Sequence, residues 1–275
     1  MLEFIVKVMA IMMAAEKNVI SAIERRTNYM RSRLAGNVRE MVSDIRNGRV
    51  KSCISMQTKN KKMKPTENIA FLIFSIPAIF TCPFATSLCM KYCYAKSGYR
   101  YESITKSHVR NWLESQKADF VENCTTYIYN AIYTKKGDIR KAFRKKDGTL
   151  KNICVRVHES GDFYSEKYMC DWFEIARNFP GLTFYAYTKS IPYVVKHIDE
   201  IPNNFIVRCS IFPDTKKEYL DMIFKNRLPF YMAMNKESVN DFPYDFNCNC
   251  AAGCGACGNM CSNRNKKAIV TELKK

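Results

Sequence analysis

"NICVRVHESGDFYSEKYMCDWFEIARNFPGLTFYAYTKS" runs from Asn152 to Ser190 and changes its hydrophobic pattern twice. Asn152–Ser160 reads as a strand, with Ile153, Val155 and Val157 on alternate positions. Ser165–Phe179 reads as a helix, with Ser165 as its N-cap and Pro180-Gly181 as its stop. Leu182–Thr188 is again rich in aromatic and β-branched residues and reads as a strand. Strand, helix and strand in succession predict a βαβ unit with parallel strands.

The same alternation extends outward. Downstream come a short helix over Pro192–Ile201, a strand over Asn204–Phe212, a helix over Asp214–Arg227 and a strand over Leu228–Asn235. Upstream, Ile69–Phe80 reads as one strand or two short pieces around Pro77, and the pattern from about Tyr99 to Tyr133 reads as one long helix. At least five β/α units follow, so the class is α/β with a parallel sheet. An open or partial (β/α) barrel accounts for this, and so does a doubly wound sheet. Either one gathers functional residues at the carboxyl ends of its strands.

Three regions differ in composition. Residues 1–64 read as a basic helical segment ending in a Lys-rich linker from Val50 to Lys64, residues 65–246 as the α/β core, and residues 247–275 as a Cys-rich knuckle with a basic tail. The formal net charge is +18, and it is uneven. Residues 1–64 hold fourteen Lys and Arg against five Asp and Glu, and Lys135–Lys151 holds eight against two. Such an excess points to an anionic partner, nucleic acid first, although solvated helix faces give the same composition. Leu2–Ala15 is apolar, but Glu3 and Lys7 interrupt it and it is shorter than the ~20 residues of a membrane helix. No membrane partner is expected, and a reducing cytoplasm is the expected location. There, the thirteen cysteines imply metal binding or catalysis rather than disulfides.

The cysteines are grouped. Cys82, Cys89 and Cys93 form a C-x6-C-x3-C array with Tyr92 before the last, directly after the first strand. Cys248, Cys250, Cys254, Cys257 and Cys261 lie among glycines and alanines near the carboxyl end. A closed zinc site takes four ligands, and so does a structural four-iron cluster. The terminal group fits either metal. The triplet is one ligand short, which suits a cluster with one iron left open. The two groups could also meet in one shared site. Cys53, Cys124, Cys154, Cys170 and Cys209 stand alone and read as buried structural thiols.

The second strand ends in Ser160, Gly161 and Asp162, with His158 and Glu159 just before. An ordinary strand-to-helix turn uses the same residue types. Lys189, Ser190, Arg208, Ser210 and Asn235 end successive strands and are candidates to touch an anion or substrate. The aromatic run at Phe184–Thr188 is expected to be core covered by crossover helices rather than a base-stacking surface.

"CPFATSLCMKYCYA", "RVHESGDFYSEKYMCDWFEIARNFPGLTFYAYTKS" and the terminal cysteines together resemble the gene product 88 domain proteins of phages and mobile elements, over about residues 70–262. That resemblance implies a phage setting, hence a host-cell cytoplasm, and no established reaction. More distantly, a three-Cys motif after the first strand is similar to radical S-adenosylmethionine enzymes. Their usual spacing is C-x3-C-x2-C, which Cys250, Cys254 and Cys257 match, but the first triplet has the matching position. The resemblance implies a [4Fe–4S] cluster on Cys82, Cys89 and Cys93. It gives Ser160-Gly161-Asp162 the role of holding the cofactor's amino group, and makes an auxiliary cluster of the terminal cysteines. The other reading is a non-enzymatic protein, stapled by zinc or iron–sulfur sites, that binds nucleic acid.

Overall fold

The computed structural model describes residues 40–45, 47–49, 53–234, 262 and 268–272. In chain order its elements are β1 (Ile69–Phe74), α1 (Ser87–Lys91), α2 (Glu102–Glu114), α3 (Phe120–Ile132), β2 (Asn152–Val157), α4 (Glu166–Arg177), β3 (Thr183–Thr188), α5 (Ile191–Lys196), β4 (Phe205–Ile211), α6 (Lys217–Lys225), β5 (Phe230–Met234) and β6 (Ala268–Glu272). The strands form one sheet in the order β1-β2-β3-β4-β5-β6, with every neighbouring pair parallel.

Sequential order has a consequence for the helices. Parallel crossovers share one hand, so a sheet that never reverses its strand order receives all its helices on one face. Packing bears this out. Leu72, Phe74, Val155, Phe184, Val207 and Met232 share a buried core with Phe120, Ile128, Trp172, Val194 and Ile223 from the helices. Trp172 meets Phe74 edge-on at 5.0 Å and Phe120 at 5.8 Å. The opposite strand face carries Phe71, Ile73, Cys154, Tyr185, Ile206 and Ile269, with Met63 from the segment before β1. A doubly wound sheet needs a reversal of strand order with helices on both faces, so this alternative is set aside.

Local signals explain most boundaries. The Ser165 side chain accepts from Tyr168 N at 3.2 Å and opens α4. Beyond its last turn, the Asn204 amide donates to the carbonyls of Ala176 and Phe179 at 2.8 and 2.9 Å.

Four expectations are corrected. β1 ends at Phe74, and no strand continues to Phe80. Beyond it, side chains replace the ladder: Asn111 donates to Ser75 O at 2.9 Å, and Tyr99 OH accepts from Ala78 N at 2.5 Å. The long helix is two helices, α2 and α3. The Ser115 hydroxyl donates back to Trp112 O at 2.8 Å where α2 stops, and Phe120 turns into the core to start α3. The stretch read as a linker is packed over residues 53–64. Gln57 bridges Ile73 in antiparallel fashion, and Ile54, Met56 and Met63 are buried. Finally, the run Phe184–Thr188 is core as expected, but Tyr185 is buried and Tyr187 half-buried on the strand face opposite the helices and not beneath them. Of the isolated cysteines, Cys124, Cys154 and Cys209 are buried as expected, but Cys53 is exposed and Cys170 half-buried. The expected helix before residue 40, Asn235 and the terminal cysteines Cys248, Cys250, Cys254, Cys257 and Cys261 lie outside the described residues.

No helix among the described residues is long and apolar enough to cross a membrane.

Candidate site at the carboxyl ends of the strands

The loop after β1 is fastened to the loop after β2. Ile76 N donates to Ser160 O at 3.0 Å, and the Ser160 hydroxyl donates back to Ile76 O at 2.9 Å. Between these bonds sits Gly161 at φ +89°, where a Cβ would fall 2.4 Å from Ile76 Cγ1 and 2.8 Å from Thr81 Oγ1. Glycine alone allows that approach. The Thr81 hydroxyl donates to Pro77 O at 2.8 Å, and Ile79 N points at Cys82 Sγ at 3.4 Å. This turn delivers Cys82.

The other two thiols ride on the short helical pieces that follow. Thr86 caps α1 by accepting from Cys89 N at 3.2 Å. Leu88 N donates to Asp214 Oδ2 at 2.7 Å, which ties α1 to the turn after β4. Cys93 begins the 3₁₀ turn Tyr94–Arg100. Tyr94 OH donates to Glu159 O, a second tether to the end of β2. Tyr92 is half-buried beside the Lys91 ammonium, 4.9 Å from the centre of its ring.

Asp162 is buried and well supplied with donors. Oδ1 accepts from Phe163 N at 2.7 Å and from the Thr188 hydroxyl at 2.5 Å, and Oδ2 accepts from Lys189 N at 2.8 Å. Burial nevertheless pushes its carboxyl up to about 6, against those hydrogen bonds. Lys189 leads its side chain back over the sheet, with Nζ 3.0 Å from Ser210 O and 4.0 Å above the Phe212 ring. Burial lowers the Lys189 pKa, while Cys89, Asp214, Asp162 and Cys82 hold it up. Arg208 is fully buried, on the strand face that the helices leave uncovered.

The predicted residues therefore come together. Burial raises the Cys82 thiol well above its usual pKa, and Asp162, Cys89 and Cys93 raise it further. Burial takes Cys89 to about 11, opposed by Lys189 and reinforced by Cys93. Burial raises Cys93 too. Cys82 and Cys89 thus feel the Asp162 carboxylate and the Lys189 ammonium across the ends of β1, β2 and β3, while Cys93 acts on these two thiols and has Lys96 as its own nearby cation. Ser160 and Gly161 hold the two loops together. His158 is buried among Phe163 and Tyr168, with Nε2 2.8 Å from Tyr168 OH, and belongs to the core.

Sequence reasoning missed Thr188, Asp214, Tyr94 and Asn60. Asn60 donates to Glu159 Oε1 at 2.7 Å. Asp214 had one available signal, its place two residues after an expected strand end.

The donor chemistry can be tested against a metal. A single tetrahedral zinc with Zn–S of about 2.3 Å needs sulfurs about 3.8 Å apart. Among the described residues, three donors converge within 4.8 Å only at Cys170, His197 and Glu200, so the triplet's sulfurs are spread more widely. A multi-iron cluster bound at separate irons suits that wider spread, and its positive metal ions would favour the thiolate forms that burial resists.

The profile of the family described as "Gene product 88" matches residues 49–240. The chain belongs to the gene product 88 family. "Gene 88 protein" of Mycobacterium phage D29 is 26% identical over 212 residues, covering 71% of this chain and 84% of that protein. "Gene 88 protein" of Mycobacterium phage L5 is 26% identical over 211 residues, with the same coverage of each. No solved structure matches the chain. The family match holds the triplet, Ser160-Gly161-Asp162 and Lys189, and stops before the terminal cysteines. The expected resemblance through residue 262 is thereby shortened at its end and extended at its start. The comparisons do not support a radical S-adenosylmethionine resemblance and name no reaction for the family.

The Cys170–His197–Glu200 group, on the helix side, is an ion-pair network. His197 Nδ1 lies 2.8 Å from Glu200 Oε1 and Nε2 lies 3.2 Å from Glu166 Oε2. Lys196 also binds Glu166 at 2.5 Å, Lys167 binds Asp171, and Arg177 donates to Glu200 O at 2.5 Å. Glu200 and Glu166 raise the His197 pKa. A raised histidine stabilises the fold fully below its unfolded pKa, about 6.5, and loses that contribution as pH rises through the folded value. The stability difference between wild type and His197→Ala, measured by urea unfolding, should therefore be larger at pH 5.5 than at pH 8.5. Equal differences would leave the network without electrostatic weight.

Proposed function

We propose that Cys82, Cys89 and Cys93 hold a [4Fe–4S]-class cluster over the strand ends of a partial (β/α) barrel. S-adenosylmethionine would be the second ligand, and an anionic substrate would sit near the same strand ends. One observation carries this reading. Cys82 and Cys89, in the loop after β1, feel the charges of Asp162 after β2 and Lys189 after β3, with Cys93 acting on both thiols, on a parallel sheet wound in sequential order. When bound, a cluster with three protein ligands supplies a low-potential electron and one iron open to a chelating small molecule.

The chain's own residues would then act as follows. Asp162 Oδ2 accepts from Lys189 N and has acceptor capacity left for an ammonium group. Thr188 and the N–H of Phe163 hold that carboxylate in place through Oδ1. The Lys189 ammonium offsets negative charge on the thiolate side. Arg208, Ser210 and Arg156 lie on the strand face opposite the helices, and the positive charge of the two arginines would favour an anionic substrate near the strand ends. Tyr92 would pack beside the cluster. Cys248, Cys250, Cys254, Cys257 and Cys261 would hold an auxiliary cluster, with zinc as the alternative there.

The test is anaerobic purification with iron, sulfide and zinc counted, followed by EPR of the reduced protein with and without S-adenosylmethionine. Iron and sulfide in near-equal amounts and an altered EPR signal are expected. Cys82→Ala/Cys89→Ala/Cys93→Ala should abolish the S-adenosylmethionine response, whereas Cys254→Ala/Cys257→Ala should keep it. A colourless protein with stoichiometric zinc and no iron would sink the proposal.

A further inference from the structure

The crossover from α3 to β2 contains a tandem unit. Tyr133-Thr-Lys-Lys-Gly-Asp-Ile139 is followed by Phe143-Arg-Lys-Lys-Asp-Gly-Thr-Leu150. Each unit sets an aromatic residue, two lysines, a Gly/Asp turn and an aliphatic residue in the same order. Each folds as a hairpin. Tyr133 bridges Ile139 and Arg144 bridges Leu150, both antiparallel. Thr134 N donates to Asp138 O and Lys145 N to Thr149 O, both at 2.8 Å. Gly137 at φ +86° and Gly148 at φ +89° make the turns.

The hairpins are anchored at their bases. Phe143 is buried, and Tyr133, Ile139 and Leu150 pack against the helix-side core. The Arg140 side chain donates to the carbonyls of Asn130 and Tyr133, and Lys151 Nζ to Thr66 O, so these two cations are structural. Lys135, Lys136, Lys141, Arg144 and Lys146 are exposed, and Lys145 is half-buried. None of the ion pairs among the described residues includes any of these six. Nearby acids serve the turns instead: Asp147 accepts from Thr149 N and its hydroxyl, and Glu67 accepts from Lys146 N. The exposed cations outnumber the local acids Asp138, Asp147 and Glu67, so the surface keeps a net positive charge on a backbone held in shape.

We infer that these two hairpins form a docking surface for duplex DNA, at the end of the sheet opposite the cysteine site. They lead into the start of β2 and bond to Thr66 and Glu67 just before β1, so they mark the amino ends of the strands. The occupant follows from what the tips display. Paired lysines read phosphate, and Thr134–Asp138 and Arg144–Thr149 hold no aromatic residue. Single strands are held largely by stacking on aromatics, which these tips lack. A narrow two-stranded tip enters the wide major groove of B-DNA, whereas the major groove of duplex RNA is deep and narrow. The contact is to the phosphate backbone and carries no sequence preference.

Fluorescence anisotropy of the full chain with a short mixed-sequence duplex tests this. Lys135→Gln/Lys136→Gln/Lys145→Gln/Lys146→Gln is compared with Lys106→Gln/Lys216→Gln/Lys217→Gln/Lys225→Gln, which removes the same charge elsewhere. All eight lysines are on the surface, and circular dichroism confirms that both variants fold. The hairpin variant should bind at least about tenfold more weakly, with a log–log salt slope shallower by about 3–4, as four lost phosphate contacts require. The control set should change affinity by less than about threefold. Equal losses in the two variants would mean bulk charge only and overturn the inference. So would tighter wild-type binding to single-stranded DNA, duplex RNA or phosphatidylglycerol vesicles than to duplex DNA.

Discussion

Gly161→Ala should destabilise the protein by roughly 2–6 kcal/mol and, under the cluster proposal, lower its iron content. Two costs combine. An alanine at φ +89° is strained, at about 1–3 kcal/mol. Its Cβ would also stand 2.4 Å from Ile76 Cγ1, 2.8 Å from Thr81 Oγ1 and 3.0 Å from Ile76 O. Overpacking of that kind costs about 1–3 kcal/mol. The Ile76 carbonyl cannot yield without disturbing the bond it accepts from the Ser160 hydroxyl. Relief must come from separation of the two loops, which carries Cys82 away from Asp162. Urea unfolding gives the stability loss and metal analysis gives the second effect. Wild-type stability together with wild-type metal content would show that the loops close around the new methyl group.

Asp162→Ala should cost about 3 kcal/mol or more. The substitution leaves Phe163 N, Lys189 N and the Thr188 hydroxyl buried without their acceptor. Each orphaned donor costs about 1–3 kcal/mol, less where a water can enter. Asp162→Asn separates structure from charge. Its oxygen keeps the bonds from Phe163 N and the Thr188 hydroxyl, but its NH2 faces Lys189 N, so it should cost about 1–3 kcal/mol, less than the alanine. It lacks the anion that an ammonium ligand requires. Under the cluster proposal, Asp162→Asn therefore retains iron but loses the EPR response to S-adenosylmethionine. Retention of that response would remove Asp162 from ligand binding.

Much of the fold was legible because its signals are local. Ser165, the apolar face of α4 and Pro180 lie within one short window and set one helix. The break between α2 and α3 was not legible, because both halves carry apolar residues at helical spacing. It depends on Phe120 reaching Phe74 and Trp172, which are distant in sequence. The side on which the β3 tyrosines pack was missed for another reason. Tyr185 and Tyr187 alternate with Phe184 and Ala186, and only the strand order says which side the helices take. At the site, the thiols, Asp162, Lys189 and Arg208 could be chosen because each stands beside an expected strand end. Thr188 and Asp214 also stand at or just beyond expected strand ends, but their roles rest on contacts distant in sequence; Asp214 meets Leu88 across most of the core sequence.

The strand order also fixes how the site can be assembled on the ribosome. Each strand pairs with its predecessor in the chain, so the sheet can grow from its first edge as the chain emerges, without waiting for a distant partner. Cys82, Cys89 and Cys93 are made early, on the first edge. Asp162 arrives one crossover later, Lys189 one after that, and Asp214 at the next. A nascent chain that has reached β2 already has its three thiols and no mature surroundings for them. Under the cluster proposal, metal loading before that point would meet an open loop, and loading after β4 would meet a formed rim.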